Sequence, residues 1–264
     1  MKQRVLSAAV LIVIVGFCVF FSEYTRVLFF AAAGIISAYE FSHSLEKADV
    51  YCCAWVMYVY VAMQAVLACF GADTNAYMTC FTVAVFLALF SGILHSKVSG
   101  SGALYTLAGI AYPCFLFGLL MKISVCDIWL ETLALGALST WICDSFALFG
   151  GMAFGKHKIA PLVSPKKTVE GCLSGAVAAA LSGILFQYLF FPAIPVWVCA
   201  VTTLVASTLG QIGDLAESLI KRMIGVKDFG NLIPGHGGMF DRSDSLLFSI
   251  PTAYICLYLF GIGV

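Results

Sequence analysis

The sequence predicts an all-α, polytopic integral membrane protein with about nine transmembrane helices and a cytoplasmic N-terminus. Three observations predict it. Of 264 residues, 62% are hydrophobic and only 11% charged, whereas soluble domains run near half apolar and a quarter charged. Mean hydropathy is +1.01. The apolar residues also fall in continuous runs of bilayer length, joined by short polar stretches. Together these exclude a soluble enzyme, a disordered tail and a fibrous repeat.

A span needs about 20 apolar residues, and nine candidates occur: 5–21, 27–41, 50–70, 75–94, 101–121, 128–153, 169–191, 195–215 and 246–264. Backbone groups in lipid must be satisfied within the segment, so each is expected to be a helix. A transmembrane barrel would need short alternating segments instead. The first run follows Lys2 and Arg4 and resembles a signal peptide. It is long, and no A-x-A site closes it, so it reads as a retained span.

Fourteen Lys+Arg balance fourteen Asp+Glu, so net charge points to no nucleic acid. Their placement is more informative. With nine spans, the N-terminal face holds Lys2, Arg4, Lys47, Lys97, Lys156, Lys158, Lys166, Lys167, Lys221, Arg222, Lys227 and Arg242. The other face holds only Arg26 and Lys122. Cytoplasmic loops carry the excess of Lys and Arg, so the N-terminal face is the cytoplasmic one. A compact nine-span chain suggests a plasma (inner) membrane, with an organelle membrane as the alternative.

Eleven cysteines lie mostly inside apolar runs, with no CxxC pair. They read as small, buried, reduced thiols rather than as a zinc site or a disulfide scaffold.

Two regions follow. Residues 1–121 form a hydrophobic platform with few polar groups. Residues 122–264 carry two long cytoplasmic loops, 155–168 and 216–245, where function should concentrate. The second loop runs from Ser218 to Asp244 and holds Lys221, Arg222, Lys227, Asp228, Gly230, Gly235, His236, Gly237, Gly238, Asp241 and Arg242. Carboxylates without thiolates suit a hard cation such as Mg²⁺. Nearby Lys and Arg suit the phosphates that accompany it. Glycines let backbone N–H groups approach an anion. The combination reads as a metal–polyphosphate site at the membrane surface.

Each residue has a plainer alternative. Asp244 can cap the last helix together with Ser245, and Asp241 can be a solvated loop acid. His236 can hold a turn. Lys221 and Arg222 can be topological anchors. In the first loop, Ser164 and Pro165 look like an N-cap and N1 pair that starts the seventh span, with Lys166 and Lys167 beside its anion-attracting end. Gly150 to Lys156 matches the first part of a P-loop. However, His157 stands where Ser or Thr should hold Mg²⁺, and no strand precedes it. Asp144 lies inside the sixth span, roughly 14 Å from its cytoplasmic end at 1.5 Å per residue. An acid there costs at least about 2.5–3.5 kcal/mol to insert, so it must face a polar cavity or a partner. Glu40, near the end of the second span, can reach the interface.

The stretch from Ser218 to Asp244 resembles the signature of the phosphatidate cytidylyltransferase (CDP-diacylglycerol synthase) family: S-x-x-K-R, four residues, K-D-x-G, then P-G-H-G-G-x-x-D-R-x-D. The match is gapless through Ser218, Lys221, Arg222, Lys227, Asp228, Gly230, Pro234, Gly235, His236, Gly237, Gly238, Asp241, Arg242 and Asp244. Gly213-Asp214-Leu215-x-Glu217-Ser218 is similar to the family too. So are Phe154-Gly155-Lys156 and Ser164-Pro165-x-Lys167-Thr168-x-Glu170-Gly171. Phe146 and Leu148 stand where the family tends to have small residues and a tyrosine.

The resemblance implies CTP plus phosphatidate giving CDP-diacylglycerol and pyrophosphate, with Mg²⁺ and room for a second cation. It makes Asp214 and Asp241 metal ligands, with Asp244 a third; Asp144, read from its place inside the sixth span, is a second acidic site beside them. Lys167, Ser218, Lys221, Arg222, Lys227, Gly237, Gly238 and Arg242 would meet substrate phosphates, and His236 would shape the loop. Asp241, Asp214, Lys167 and His236 form the expected catalytic set. It also implies a homodimer. Three rivals share features: another CTP-dependent lipid enzyme such as a polyprenol kinase, a transporter with Asp144 and Asp214 as coupling sites, and a CDP-alcohol phosphotransferase. The last lacks its D-x-x-D-G-x-x-A-R pattern here.

Overall fold

A computed structural model describes residues 13–94, 98, 100–232 and 237–263. Nearly all of these are helical. Residues 13–21 (α1) are followed by α2 (Glu23–Glu46), α3 (Ala54–Cys69), α4 (Thr74–Leu94), α5 (Gly100–Gly109), a π-helical turn (Ile110–Cys114) and α6 (Phe115–Ser124). Then come α7 (Trp129–Phe154), β1 (Lys158–Ala160), β2 (Ser164–Thr168), α8 (Val169–Phe190), α9 (Val196–Ile224), α10 (Phe240–Ser243) and α11 (Leu246–Leu259).

Six helical segments among the described residues are long and apolar enough to cross a membrane: Glu23–Glu46, Thr74–Ile93, Gly100–Ile123, Trp129–Phe154, Val169–Phe190 and Val196–Ile224. Ala54–Cys69 is shorter and equally apolar. The expected second span was too short at both ends. Ser22 caps α2 by accepting from the Thr25 N–H, and Thr25 returns the bond to the Ser22 N–H. The expected fifth span is not one regular helix. Pro113 has no N–H to give and crowds the preceding turn, and the chain widens there into the π turn.

The chain divides into two compact units. One holds Met1–Val125 and Met223–Arg242; the other holds Cys126–Arg222 and Ser243–Val264. In the first unit, α2 packs on α3 and α6. Buried Arg26 on α2 donates through Nε to the Ser124 carbonyl at the end of α6, at 2.7 Å. Gln64 on α3 donates to the Cys114 carbonyl at the π turn. Such bonds replace the partners that lipid cannot offer.

The second unit centres on the α7–α8 pair. Gly171 and Gly175, four apart on α8, let its backbone approach α7 closely. A Cβ on Gly171 would lie 2.7 Å from the Ala147 carbonyl, and one on Gly175 2.6 Å from that of Cys143. Gln211 on α9 reaches both helices, donating to the Cys143 sulfur and the Cys172 carbonyl. All eleven cysteines are free thiols.

Two sequence expectations are corrected here. Ser164 and Pro165 do not start a helix. They lie in β2, which pairs antiparallel with β1 in the two-stranded hairpin that joins α7 to α8. Pro165 can serve there because a two-stranded ribbon has edges on both sides. The helix begins four residues later, where the Thr168 hydroxyl accepts from the Gly171 N–H. The second correction concerns the loop expected from Ala216. It begins only after Ile224, because α9 continues through the charged residues as a 29-residue helix.

Candidate functional site

The second unit assembles a cluster of charged groups on α7, β2, α9 and the turn before α11. Strand alternation on β2 turns Lys167 inward while Lys166 stays exposed. The Lys167 ammonium forms an ion pair with Oδ2 of Asp214 on α9. Ser218, one helical turn beyond Asp214, donates to its Oδ1 at 3.4 Å. Asp144 on α7 lies within electrostatic reach of Asp214, Lys167 and Asp244. The deep intramembrane acid thus has the polar surroundings that its position demanded.

Further along α9 lies a buried ion pair. Lys221 donates to Oε2 of Glu217 at 3.0 Å, one turn back on α9. Glu217 has no exposed surface, and Asp244 lies within its electrostatic reach. Asp244 is pushed up from the ordinary carboxylate range, first by burial and then by the negative charge of Asp214. Asp244 does not cap α11. It accepts from the Ser245 N–H, and Ser245 makes no side-chain cap. Arg222, next to Lys221, is turned outward and exposed.

The first unit holds the glycine-rich part of the signature. Asp241, 7% exposed, accepts from three backbone N–H groups. Those of Phe229 and Gly238 are 3.0 Å from Oδ2, and that of Gly230 is 3.4 Å away. Asp241 is therefore no solvated loop acid; it closes the loop on itself. Gly237 takes a φ of +90°, the left-handed region that favours glycine.

Sequence reading missed the partner of this loop. Glu40 on α2, 4% exposed, accepts from the Met239 N–H at 3.0 Å and the Phe240 N–H at 2.9 Å. It thereby satisfies the orphan donors at the start of α10. Gly230 and Gly238 flank the same carboxylate, and a Cβ at either position would run into it. Ser44 donates to the Phe229 carbonyl, and Phe41 packs against Phe229 and Phe240. The N-terminal helices are thus more than a platform: they hold the signature loop. The only sequence cue was a carboxylate inside an apolar run. Lys227 is exposed at the start of the loop, and Arg242 is exposed at its end. His236 lies outside the described residues, as do Pro234 and Gly235.

Glu170 stands in the family-like stretch, and the structure adds its partners. It accepts from the N–H groups of Lys156 and His157, at 3.0 and 3.2 Å, and meets the His157 ring nitrogen at 2.6 Å. These bonds close the base of the hairpin. His157 sits there because it is a partner of Glu170, which accounts for its place in the broken P-loop pattern.

Among the described residues, no three His, Cys, Asp or Glu side chains converge as a ready-made metal site. Mg²⁺ needs no such cage, since it is usually held by one or two carboxylates together with substrate phosphates and water. Hard carboxylate oxygens beside phosphate-binding cations are the donor set that it prefers. Asp214 and Asp244, with Asp144 near, fit that requirement.

Over 121 residues the chain is 47% identical to the phosphatidate cytidylyltransferase of Bacillus subtilis (strain 168), covering 46% of this chain and 45% of that enzyme. It is 40% identical over 120 residues to the phosphatidate cytidylyltransferase of Staphylococcus haemolyticus (strain JCSC1435), and 42% to that of Staphylococcus aureus (strain COL). The two staphylococcal matches each cover 46% of both chains, so the chain's similarity spans somewhat less than half the length of these relatives. The sequence model of the cytidylyltransferase family matches residues 2–260. This protein belongs to the cytidylyltransferase family.

Proposed function

We propose that the chain is a phosphatidate cytidylyltransferase, making CDP-diacylglycerol and pyrophosphate from CTP and phosphatidate. The observation that carries this reading is the Lys167–Asp214–Ser218 group, with Asp144 and Asp244 in reach, set into membrane-spanning helices. A substrate with an acyl body and a phosphate head needs a site of that kind, polar and open to lipid.

The reaction joins two anions, so its barrier is largely positional and electrostatic. A phosphatidate phosphate oxygen attacks the α-phosphorus of CTP, and pyrophosphate leaves. The nucleophile is already anionic and needs no strong base. Lys167 and Lys221 neutralise phosphate charge, exchanging a carboxylate partner for a phosphate. Ser218 and Arg222 would donate further bonds from the same helix. The family resemblance gives Lys227, Gly237, Gly238 and Arg242 of the signature loop a phosphate-binding role, and His236 that of shaping the loop. Asp214 and Asp244 would hold Mg²⁺, which would supply neutralisation of phosphate charge. The family resemblance gives Asp241 the same role, in addition to organising the loop.

Nine spans, a cytoplasmic N-terminus, a cytoplasmic-side site in the plasma membrane and a homodimeric state belong to the same proposal. The charge asymmetry supports the orientation.

The test uses purified protein in detergent with phosphatidate, labelled CTP and Mg²⁺. CDP-diacylglycerol and pyrophosphate should form, and both should vanish in Asp241→Asn and on chelation. Folded protein that binds CTP but gives no product with phosphatidate would move the assignment to another lipid acceptor. Folded protein that binds no CTP would point to a transporter.

A further inference from the structure

The geometry points to the β1–β2 hairpin as a docking element for anionic lipid headgroups of the membrane that this chain spans. The hairpin connects the end of α7 to the start of α8, both apolar enough to cross a bilayer, so it stands at a membrane face. Its turn carries Leu162, which is 93% exposed, although a large apolar side chain at the tip of a tight turn gains nothing from water. Ile159 on β1 and Phe154 at the end of α7 are exposed as well.

Around this apolar tip the charge has one sign. From Lys156 to Thr168 the sequence holds Lys156, Lys158, Lys166 and Lys167, with no acid. Lys156, Lys158 and Lys166 are exposed, while Lys167 is paired with Asp214. The nearest acid in sequence, Glu170, is occupied by the N–H groups of Lys156 and His157 and by the His157 ring. An apolar tip on a hairpin with three exposed lysines along its strands and base complements a leaflet of anionic headgroups over acyl chains. It does not complement a neutral surface or a basic one.

Strand alternation gives the hairpin a second consequence. The same one-residue alternation that exposes Lys166 to headgroups turns Lys167 toward Asp214. Docking therefore anchors the strand that carries the site lysine. The inference needs only that the chain spans a membrane, so it stands or falls apart from the enzymatic reading.

The test compares Leu162→Trp with the parent, whose four tryptophans set the baseline, in nanodiscs of phosphatidylcholine alone or with phosphatidylglycerol. The added emission should be blue-shifted and quenched by brominated acyl chains in the anionic discs. It should be water-exposed in the neutral discs or at high salt. Each surface lysine contributes about fivefold to partitioning onto an anionic leaflet. Reversing Lys158 and Lys166 to Glu in the Leu162→Trp protein should therefore abolish the difference. Emission that is water-exposed in both discs would overturn the proposal. So would equal burial in both, which would make the charge irrelevant. Burial seen only in discs holding two protein copies would assign the surface to a second copy of this chain and overturn it too.

Discussion

Both units bury carboxylates, but they satisfy them differently. In the first unit, Glu40 and Asp241 are held by backbone N–H groups of residues 229–240. In the second, Asp214 is held by Lys167 and the Ser218 hydroxyl, and Glu217 by Lys221. Backbone donors are fixed once the chain is folded, so Glu40 is structural, and Asp241 shapes the loop that carries it. A lysine can exchange its carboxylate for a phosphate, and the carboxylate its lysine for a metal ion, so the second arrangement can take part in binding. Carboxylates are thus fixed by the backbone in one place and left exchangeable in the other.

Substitutions should separate these two uses. The largest expected effect is on turnover. Asp214→Asn and Lys167→Ala should each lower kcat by about 10²–10³-fold, the usual loss for one transition-state charge contact. Their melting temperatures should barely move, since a partly exposed ion pair contributes only about 0–1 kcal/mol. Glu40→Gln should reverse the pattern. It loses the charge that assists bonds to one buried and one part-buried N–H group and should cost about 2–3 kcal/mol in unfolding experiments. Measured well below its melting temperature, it should keep most of its turnover. Gly238→Ala drives a methyl into the Glu40 carboxylate and should cost about 1–3 kcal/mol by overpacking. Thr168→Ala removes the cap of α8 and should cost about 1 kcal/mol.

Titration gives a smaller but sharper contrast. Asp244 holds its proton to higher pH when folded than when unfolded, through burial and the charge of Asp214. Its contribution to stability is therefore complete below the unfolded carboxylate range and is lost as pH rises through the raised value. The difference in melting temperature between Asp244→Asn and the parent, without metal, should grow in favour of the variant over that rise. Adding Mg²⁺ should offset the parent's loss, since a cation favours the ionised carboxylate.

The membrane class and the approximate places of most helices were legible from hydropathy, because apolar runs must become helices in lipid. Their ends were less legible. Hydropathy falls off at Glu217, Lys221 and Arg222, yet charges spaced by four suit a helix and α9 continues. Ser164-Pro165 resembles a helix start because the same residue types open helices and line hairpin edges. Of the expected site, Asp144, Lys167, Asp214, Ser218, Lys221 and Asp244 are gathered in the second unit. Lys227, Gly237, Gly238, Asp241 and Arg242 lie in the first. Glu40 was illegible in this respect because its partners are 199 and 200 residues away, and no spacing rule spans that separation.

The most direct measurement sets Asp214→Asn beside Glu40→Gln, with turnover of CTP and phosphatidate and thermal unfolding recorded on the same preparations. The account predicts a folded, inactive Asp214→Asn and a less stable, still active Glu40→Gln. An active Asp214→Asn, or a Glu40→Gln as stable as the parent, would contradict it.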